Sequence, residues 1–434
     1  MTAIAHGQAK SLQELAPNVT AKVRDGHLAA VPVVLVVIGL ALLGGAWATG
    51  KHFAFSYLVG FMGALGICLG ALAFVMIQHI VRAGWSVVLR RVAENIASAL
   101  PVMLILFIPV LLNFHEIYHH WVGADLTKDS VLEGKSAWLN PTAFKVRVGI
   151  YFAIWIGLAL FFRGKSIKQD ETGDPAINLT LSRLAAPSLL LFALSLTFAA
   201  FDWIMSIDPH WFSTIFGVAY FAGAYMAFFA FLTLLTRWLL KVGYLQGAVT
   251  TEHFHDIGKL MFAFMVFWTY TNFSQYMLIW YANLPEETHW FAVRAHNGWG
   301  AIGTILVFGH FFLPFAFLMS RHVKRNPVGL AIGAILLLVI HCIDMQFLIL
   351  PNVGHGAEHA GEHAGEHGEA AAATGHGFAH DLGEYTKQID WADFGCFLGF
   401  LAIVAGVAIF NIRRTNLVPL RDPRLAESLH FQNI

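Results

Sequence analysis

Residues 184–236 read LAAPSLLLFALSLTFAAFDWIMSIDPHWFSTIFGVAYFAGAYMAFFAFLTLLT. Two apolar runs, 184–205 and 212–236, are joined only by a turn around Asp208-Pro209-His210. A helix that crosses a bilayer needs about 20 mostly apolar residues, and each run supplies that. Pro209 fixes φ in the turn, and Asp208 can accept from the turn's own backbone. Asp208 therefore has two readings, a capping residue of a tight helical hairpin or a functional acid. Asp202 is different. It sits two turns inside the first run, too deep for a cap, where an ionisable side chain is costly and marks a functional site by default.

Eight more runs of this kind flank the pair: 28–49, 57–79, 95–117, 144–162, 258–281, 298–320, 327–350 and 391–412. The expected fold is all-α, a polytopic membrane protein of ten transmembrane helices. Composition agrees. Hydrophobic residues make up 57% of the 434 and charged residues 12%, against about 25% charged in a soluble domain. Net charge is zero, which leaves no basic surface for nucleic acid. Cys68, Cys342 and Cys396 are isolated, and no C-x-x-C or C-x-x-C-H is present. Zinc ribbons, covalent haem c and iron–sulfur clusters held by this chain alone are excluded. The first 27 residues are polar with no early apolar core, so the first span is expected to serve as the insertion signal.

Lys and Arg set the orientation. Twenty of the 27 basic residues fall on one side, in 1–27, in the connections holding Arg82, Arg163, Arg237 and Arg321, and in the tail 413–434. Lys51, Lys128, Lys135, Lys145, Arg147, Arg294 and Lys387 fall on the other. Both termini are expected in the cytoplasm, and the Asp208 turn on the opposite face. The connection carrying Arg82, Arg90, Arg91 and Glu94 reads as an interfacial helix. Pro101 and Pro109 lie inside the third run, where neighbouring helices can satisfy the carbonyls they free.

Asp202 stands seven residues before Pro209, and Asp344 seven before Pro351; Asn113-Phe114 echoes Asn272-Phe273. This spacing suggests a duplicated four-helix unit, with bundles over about 57–205 and 212–350 and flanking helices at 28–49 and 391–412. The 354–380 stretch repeats His355, His359, His363 and His367 every four residues. Its interspersed glycines oppose a helix, so it reads as a solvated low-complexity periplasmic loop that takes up metal only incidentally.

Two sets of residues could carry chemistry. At the external end of the third run, His115 and His119 share a helix face, as do Glu116 and His120. With Asp202, Asp208 and His210 they would line one external pocket able to take the protons of a quinol, since histidine titrates near neutral pH; His120 lies beyond the membrane edge and reads as an interfacial residue. In the second half, His341 and Asp344 are three apart on one face, where a carboxylate partner would fix the imidazole tautomer. Asp256 and Lys259 stand at the cytoplasmic mouth of the seventh run. The row Thr269, Asn272, Gln275 and Tyr276 follows, either gluing helices together or continuing a proton path to Asp344. A bis-histidine haem between His310 and His341 is a competing idea, but their depths, about 18 Å and 13 Å from the edge by the helical rise, match poorly.

Three features together resemble the polysulfide-reductase-type (NrfD-like) membrane subunits: ten spans, a double four-helix core and no metal motif. More narrowly, FDWIMSIDPHWFSTIFGVAYFAG (201–223), DIGKLMFAFMVFWTYTNFSQYMLIWYANLPEETHWF (256–291) and the basic tail resemble the ActF-type subunits (quinone-binding subunit 2) of alternative complex III. The resemblance covers 28–412 and not the His-rich loop. It implies a multi-pass subunit of a quinol:cytochrome c (or other high-potential acceptor) oxidoreductase in a bacterial cytoplasmic membrane. It also implies a sister NrfD-like subunit, an iron–sulfur subunit and haem c subunits as partners, alongside membrane lipids. Menaquinone or ubiquinone would be the carrier. The chain alone would not be catalytic; it would shape the quinol site and move protons while other subunits move electrons. A stand-alone proton-coupled transporter and an anchor with a b-type haem are the alternatives.

Overall fold

The computed structural model describes Val19 and residues 29–296, 298–353 and 378–433. The N-terminal segment 1–27, apart from Val19, and the His-rich repeat through residue 377 lie outside the described residues. Among the described residues every regular element is helical. Nine helical stretches are long and apolar enough to cross a membrane. They are α1 (Val31–Thr49), α2 (Phe53–Ile80), α3 (Val87–Ala97) with its broken continuation to Leu112, α8 (Pro141–Thr172), α9 (Ala176–Trp203) with the turn after it, α10 (Phe216–Lys241), α13 (Trp299–Leu306) running to Met319, α16 (Pro327–Ile349) and α18 (Trp391–Ile412). The chain is a membrane protein.

The expected seventh span, 258–281, lies within α11 (Thr251–Ala282). At 32 residues this helix is long enough, but Thr269, Thr271, Asn272, Ser274 and Gln275 dilute its apolar character, and it is not among the nine. The third span also departs from expectation. Its helix breaks into α4 (Leu100–Leu106), α5 (Ile108–Leu112) and α6 (Phe114–Ile117). Near Pro109 the ladder tightens, Val110 N–H donates to Phe107 instead of Leu106, and the Tyr57 hydroxyl takes up the Leu106 carbonyl at 2.7 Å. That is the neighbour-helix repair expected of an in-span proline.

The helix α3, expected as an interfacial connection, is packed on every side by protein. All eleven of its residues are buried. Its charges are met from inside the protein: Arg91 pairs with Glu94 at 2.9 Å and Asp170 at 3.0 Å, and Arg90 pairs with Asp422 of the C-terminal tail. The tail also places the Ser428 hydroxyl on the Trp85 carbonyl at 2.6 Å and Asn433 against Glu252 and Lys259. Basic residues that the sequence assigned to one side thus gather around one end of the helices, where the tail bridges α3 and α11.

The centre of the molecule is α2, whose spanning window is entirely buried. It touches α9, α10, α16 and α18. Two glycines set these distances. A Cβ on Gly60 would lie 2.6 Å from the Cys396 backbone of α18, and one on Gly66 would lie 2.9 Å from Ala224 Cβ of α10. Small residues of this kind let membrane helices approach closely. Gly60→Val is expected to push α2 and α18 apart and to cost about 1–3 kcal/mol, as overpacking does. Melting of the purified chain in detergent checks this, and an unchanged midpoint would contradict the close contact.

Candidate functional site

Asp202 closes α9 at the end of the molecule away from the C-terminal tail, and it is completely buried. Four hydrogen bonds fill its carboxylate. Arg147 of α8 donates from Nε at 2.7 Å and from a terminal nitrogen at 2.9 Å. The Tyr151 hydroxyl donates at 2.7 Å and the Trp138 indole at 2.8 Å. The Trp138 ring also covers the Arg147 guanidinium, 4.1 Å from the ring centre. The two-pronged bond to the guanidinium, with two further donors, fixes the carboxylate in place. Asp202 is a brace joining α8, α9 and the segment before α8.

The other expected members of the external pocket are dispersed. His115 and Glu116 point outward and are exposed, while the inward side of α6 is Phe114 and Ile117. Tyr118 and Trp121, just beyond, reach the Trp203 and Ser206 carbonyls at 3.1 Å and 3.0 Å. His119 bonds the Glu116 carbonyl of its own turn and stacks beside His120. His210 is exposed and pairs with Asp129 at 2.6 Å. Asp208 lies within electrostatic reach of Lys135 and Arg294; its turn closes through the Trp211 N–H on the Asp208 carbonyl. One pocket joining these groups to Asp202 is therefore not formed. The sequence signal overlooked was Arg147, counted only as a basic residue of the external side. An arginine several residues inside a spanning helix asks for an acidic partner.

The second set converges. Asp344 of α16 is buried and accepts the Trp268 indole N–H at 3.1 Å. The Trp268 ring stacks on His310, with centres 3.6 Å apart and planes at 23°. His310 is fully buried, and its Nε2 meets the Met226 sulfur at 3.1 Å. His341, one turn before Asp344, is fully buried too and close enough to His310 to interact electrostatically. The expected His341–Asp344 hydrogen bond is absent. Among the described residues neither ring nitrogen of His341 has a partner in hydrogen-bond geometry, although the Gly63 backbone is near, and Nδ1 of His310 has none either. Buried polar atoms of this kind are usually met by internal water.

The backbone marks the same place. His310 lies in a π-helical turn, Val307–Phe312, between α13 and α14 (Leu313–Met319). Such turns insert one surplus residue and are frequent at functional sites. In contrast with Asp202, the carboxylate of Asp344 has an indole for a donor and no lysine or arginine ion pair among the described residues. The two acids that occupy matching places in the sequence echo thus share an indole donor and differ in the cation.

The expected path to Asp344 along α11 is interrupted. Asp256 and Lys259 pair with each other, and Lys259 also reaches Asn433 at 2.8 Å. From Asp256 to Trp268 is about 18 Å by helical rise, and the inward residues between them are Ile257, Met261 and Met265. Thr269 and Asn272 bond carbonyls of their own helix. Gln275 accepts from Ser213 at 3.0 Å, and Tyr276 is exposed. Of these residues only Gln275 reaches another segment, and together they do not continue a path.

The haem alternative fits poorly. Ligation needs both imidazole edges free to face one iron across a porphyrin-wide cleft. Here Trp268 lies flat on one face of His310 and Met226 closes its Nε2. No group of three or more potential metal ligands occurs among the described residues.

No protein-family model matches the chain, and none of the curated proteins does.

Proposed function

We propose that this chain is the proton-handling, ActF-type membrane subunit of an alternative complex III, a quinol:cytochrome c (or other high-potential acceptor) oxidoreductase of the bacterial cytoplasmic membrane. The observation that carries the reading is the buried set Asp344, Trp268, His310 and His341, in which Nδ1 of His310 and both ring nitrogens of His341 lack a partner in hydrogen-bond geometry among the described residues. Ionisable side chains inside a spanning region that are not locked in ion pairs serve proton transfer more readily than packing. In this reading Asp344 takes and gives the proton, Trp268 holds its carboxylate in place, and the two imidazoles pass the proton through bound water. Electrons travel on the iron–sulfur and haem c subunits, and the quinol headgroup, menaquinol or ubiquinol, is oxidised to the quinone beside the sister subunit.

The resemblance of 201–223 and 256–291 supports the assignment, and so does α11. The helix completes a set of ten if it spans, and its exposed face carries Tyr270, Phe273, Tyr276, Met277, Trp280 and Tyr281. Aromatic residues that are amphipathic suit a protein partner or the headgroup region. Both termini then face the cytoplasm, as the lysine and arginine distribution requires.

Affinity purification of the tagged chain from native membranes in a mild detergent tests the assignment. The expected preparation contains c-type haem absorbance and iron–sulfur signals from co-purifying subunits. A preparation of this chain alone, with no redox partner, would overturn it.

A further inference from the structure

Another buried acid, far from Asp344 in sequence, has the opposite arrangement to Asp202. Asp393 opens α18 and is fully buried. Its carboxylate accepts the Ser56 hydroxyl at 2.6 Å and the Asp390 backbone N–H at 2.8 Å. Its third neighbour is His52, just before α2, with Nε2 at 3.1 Å from one oxygen and 3.3 Å from the other. The ion pair with His52 is the one described for this carboxylate. Asp202 faces a guanidinium that is always charged, whereas Asp393 faces a group whose charge comes and goes near neutral pH.

The imidazole is not sealed in. His52 is 12% exposed and lines a cavity of about 130 Å³ together with Trp299, Leu350, Val353, Gln388 and Ile389. That is well above the ~10–15 Å³ a single water needs. One edge of His52 therefore touches a buried carboxylate while the ring also borders a space that water fits.

We propose that Asp393, His52 and Ser56 form a proton-exchange site, through which a proton passes between the buried carboxylate and water in the adjoining cavity. In the step, the N–H bond at His52 breaks as a cavity water takes the proton, and Asp393, when it carries a proton, re-forms that N–H and is left as the carboxylate; the reverse sequence returns the proton. No electrons move. Ser56 holds the carboxylate through either state. Nothing in this geometry needs the quinol reading, although the site would serve as an exit or entry port if that reading holds.

Charge around the pair supports it. The hydrogen bond to Asp393 raises the His52 pKa above its usual value; burial opposes this, and the charges of Asp393 and Asp390 add to it while Lys51 subtracts. The other titratable groups facing the pair are Tyr385 after the cavity wall, Cys342 of α16 and Cys396 of α18. Tyr385 is held by Gln346 at 2.6 Å. The sign follows: stability from the pair is full below the ordinary histidine pKa and is lost as pH rises through the raised one.

The test uses the whole chain, labelled with ¹⁵N-histidine, in detergent. His52 is assigned by the resonance lost in His52→Gln. The expected midpoint lies above that of an ordinary histidine and drops in Asp393→Asn. A His52 that does not titrate, or one whose midpoint ignores Asp393→Asn, overturns the proposal. A second arm separates proton exchange from bracing. His52→Arg keeps a positive charge opposite Asp393 but cannot release a proton. In the reconstituted complex it is expected to slow proton release by ~tenfold or more, within the range for a positioned acid–base group. Unchanged release in His52→Arg makes the pair a brace only and overturns the proposal. A wild-type complex that releases no protons sinks the reading of the preceding section, while the histidine titration still decides the fate of this one.

Discussion

Replacing Asp344 with Asn lowers quinol-driven proton release by about 100-fold or more, the loss seen when a positioned proton carrier is removed. The chain itself should still fold. Asn keeps the shape and an oxygen for the Trp268 indole bond, and among the described residues no lysine or arginine ion pair of Asp344 is broken by the change. The measurement is release of protons by the reconstituted complex after a quinol pulse, read beside the amount of assembled complex. Normal assembly with normal release would remove Asp344 from the mechanism. His310→Phe is the companion, since it keeps the stack on Trp268 and removes both ring nitrogens; it should slow release without altering the stack.

Arg147→Leu is expected to destabilise the folded chain by about 3–5 kcal/mol, because a buried carboxylate loses its countercharge. Asp202 would retain Tyr151 and Trp138 as donors, but two neutral donors do not replace a guanidinium. The double variant Arg147→Leu/Asp202→Asn should regain most of the loss, since no charge is then stranded. Unfolding in mixed detergent, followed by tryptophan fluorescence, checks both. If the single variant is as stable as wild type, Asp202 is not held as the geometry describes. Opposite behaviour of two acids at equivalent sequence positions follows from one difference: Asp202 has an arginine and Asp344 has not.

The spans were legible because apolar runs of membrane length need no knowledge of partners. The acids were legible as well, since a charge in such a run stands out. Their partners were not. Arg147 is 55 residues from Asp202 in sequence, and it reads as a loop cation until α8 is seen to carry it beneath Trp138. Trp268 and Met226 look like ordinary core by residue type, and only packing shows an indole on a carboxylate and a sulfur on an imidazole. His52 and Asp393 were passed over because each sits at a helix start, where polar residues are commonplace; burial is what sets them apart. The charges of α3 marked a helical connection but did not show that protein packs it on every side. Arg91, Glu94 and Asp170 satisfy one another, so the helix can be buried whole. For α11 the sequence counted a span where Thr269, Thr271, Asn272 and Gln275 leave the helix too polar to be among the nine.

The π turn at Val307–Phe312 has a geometric consequence for this span. In a regular α-helix each residue advances the face by ~100°, so losing one residue swings everything beyond it away from its neighbours. Within the wide turn, the surplus residue has already been absorbed. Shortening the chain there by one would restore ordinary winding and leave Trp299 and Leu318 on the sides they now present. The span thus has one stretch where its length can change without changing which way its ends look, and His310 sits in it.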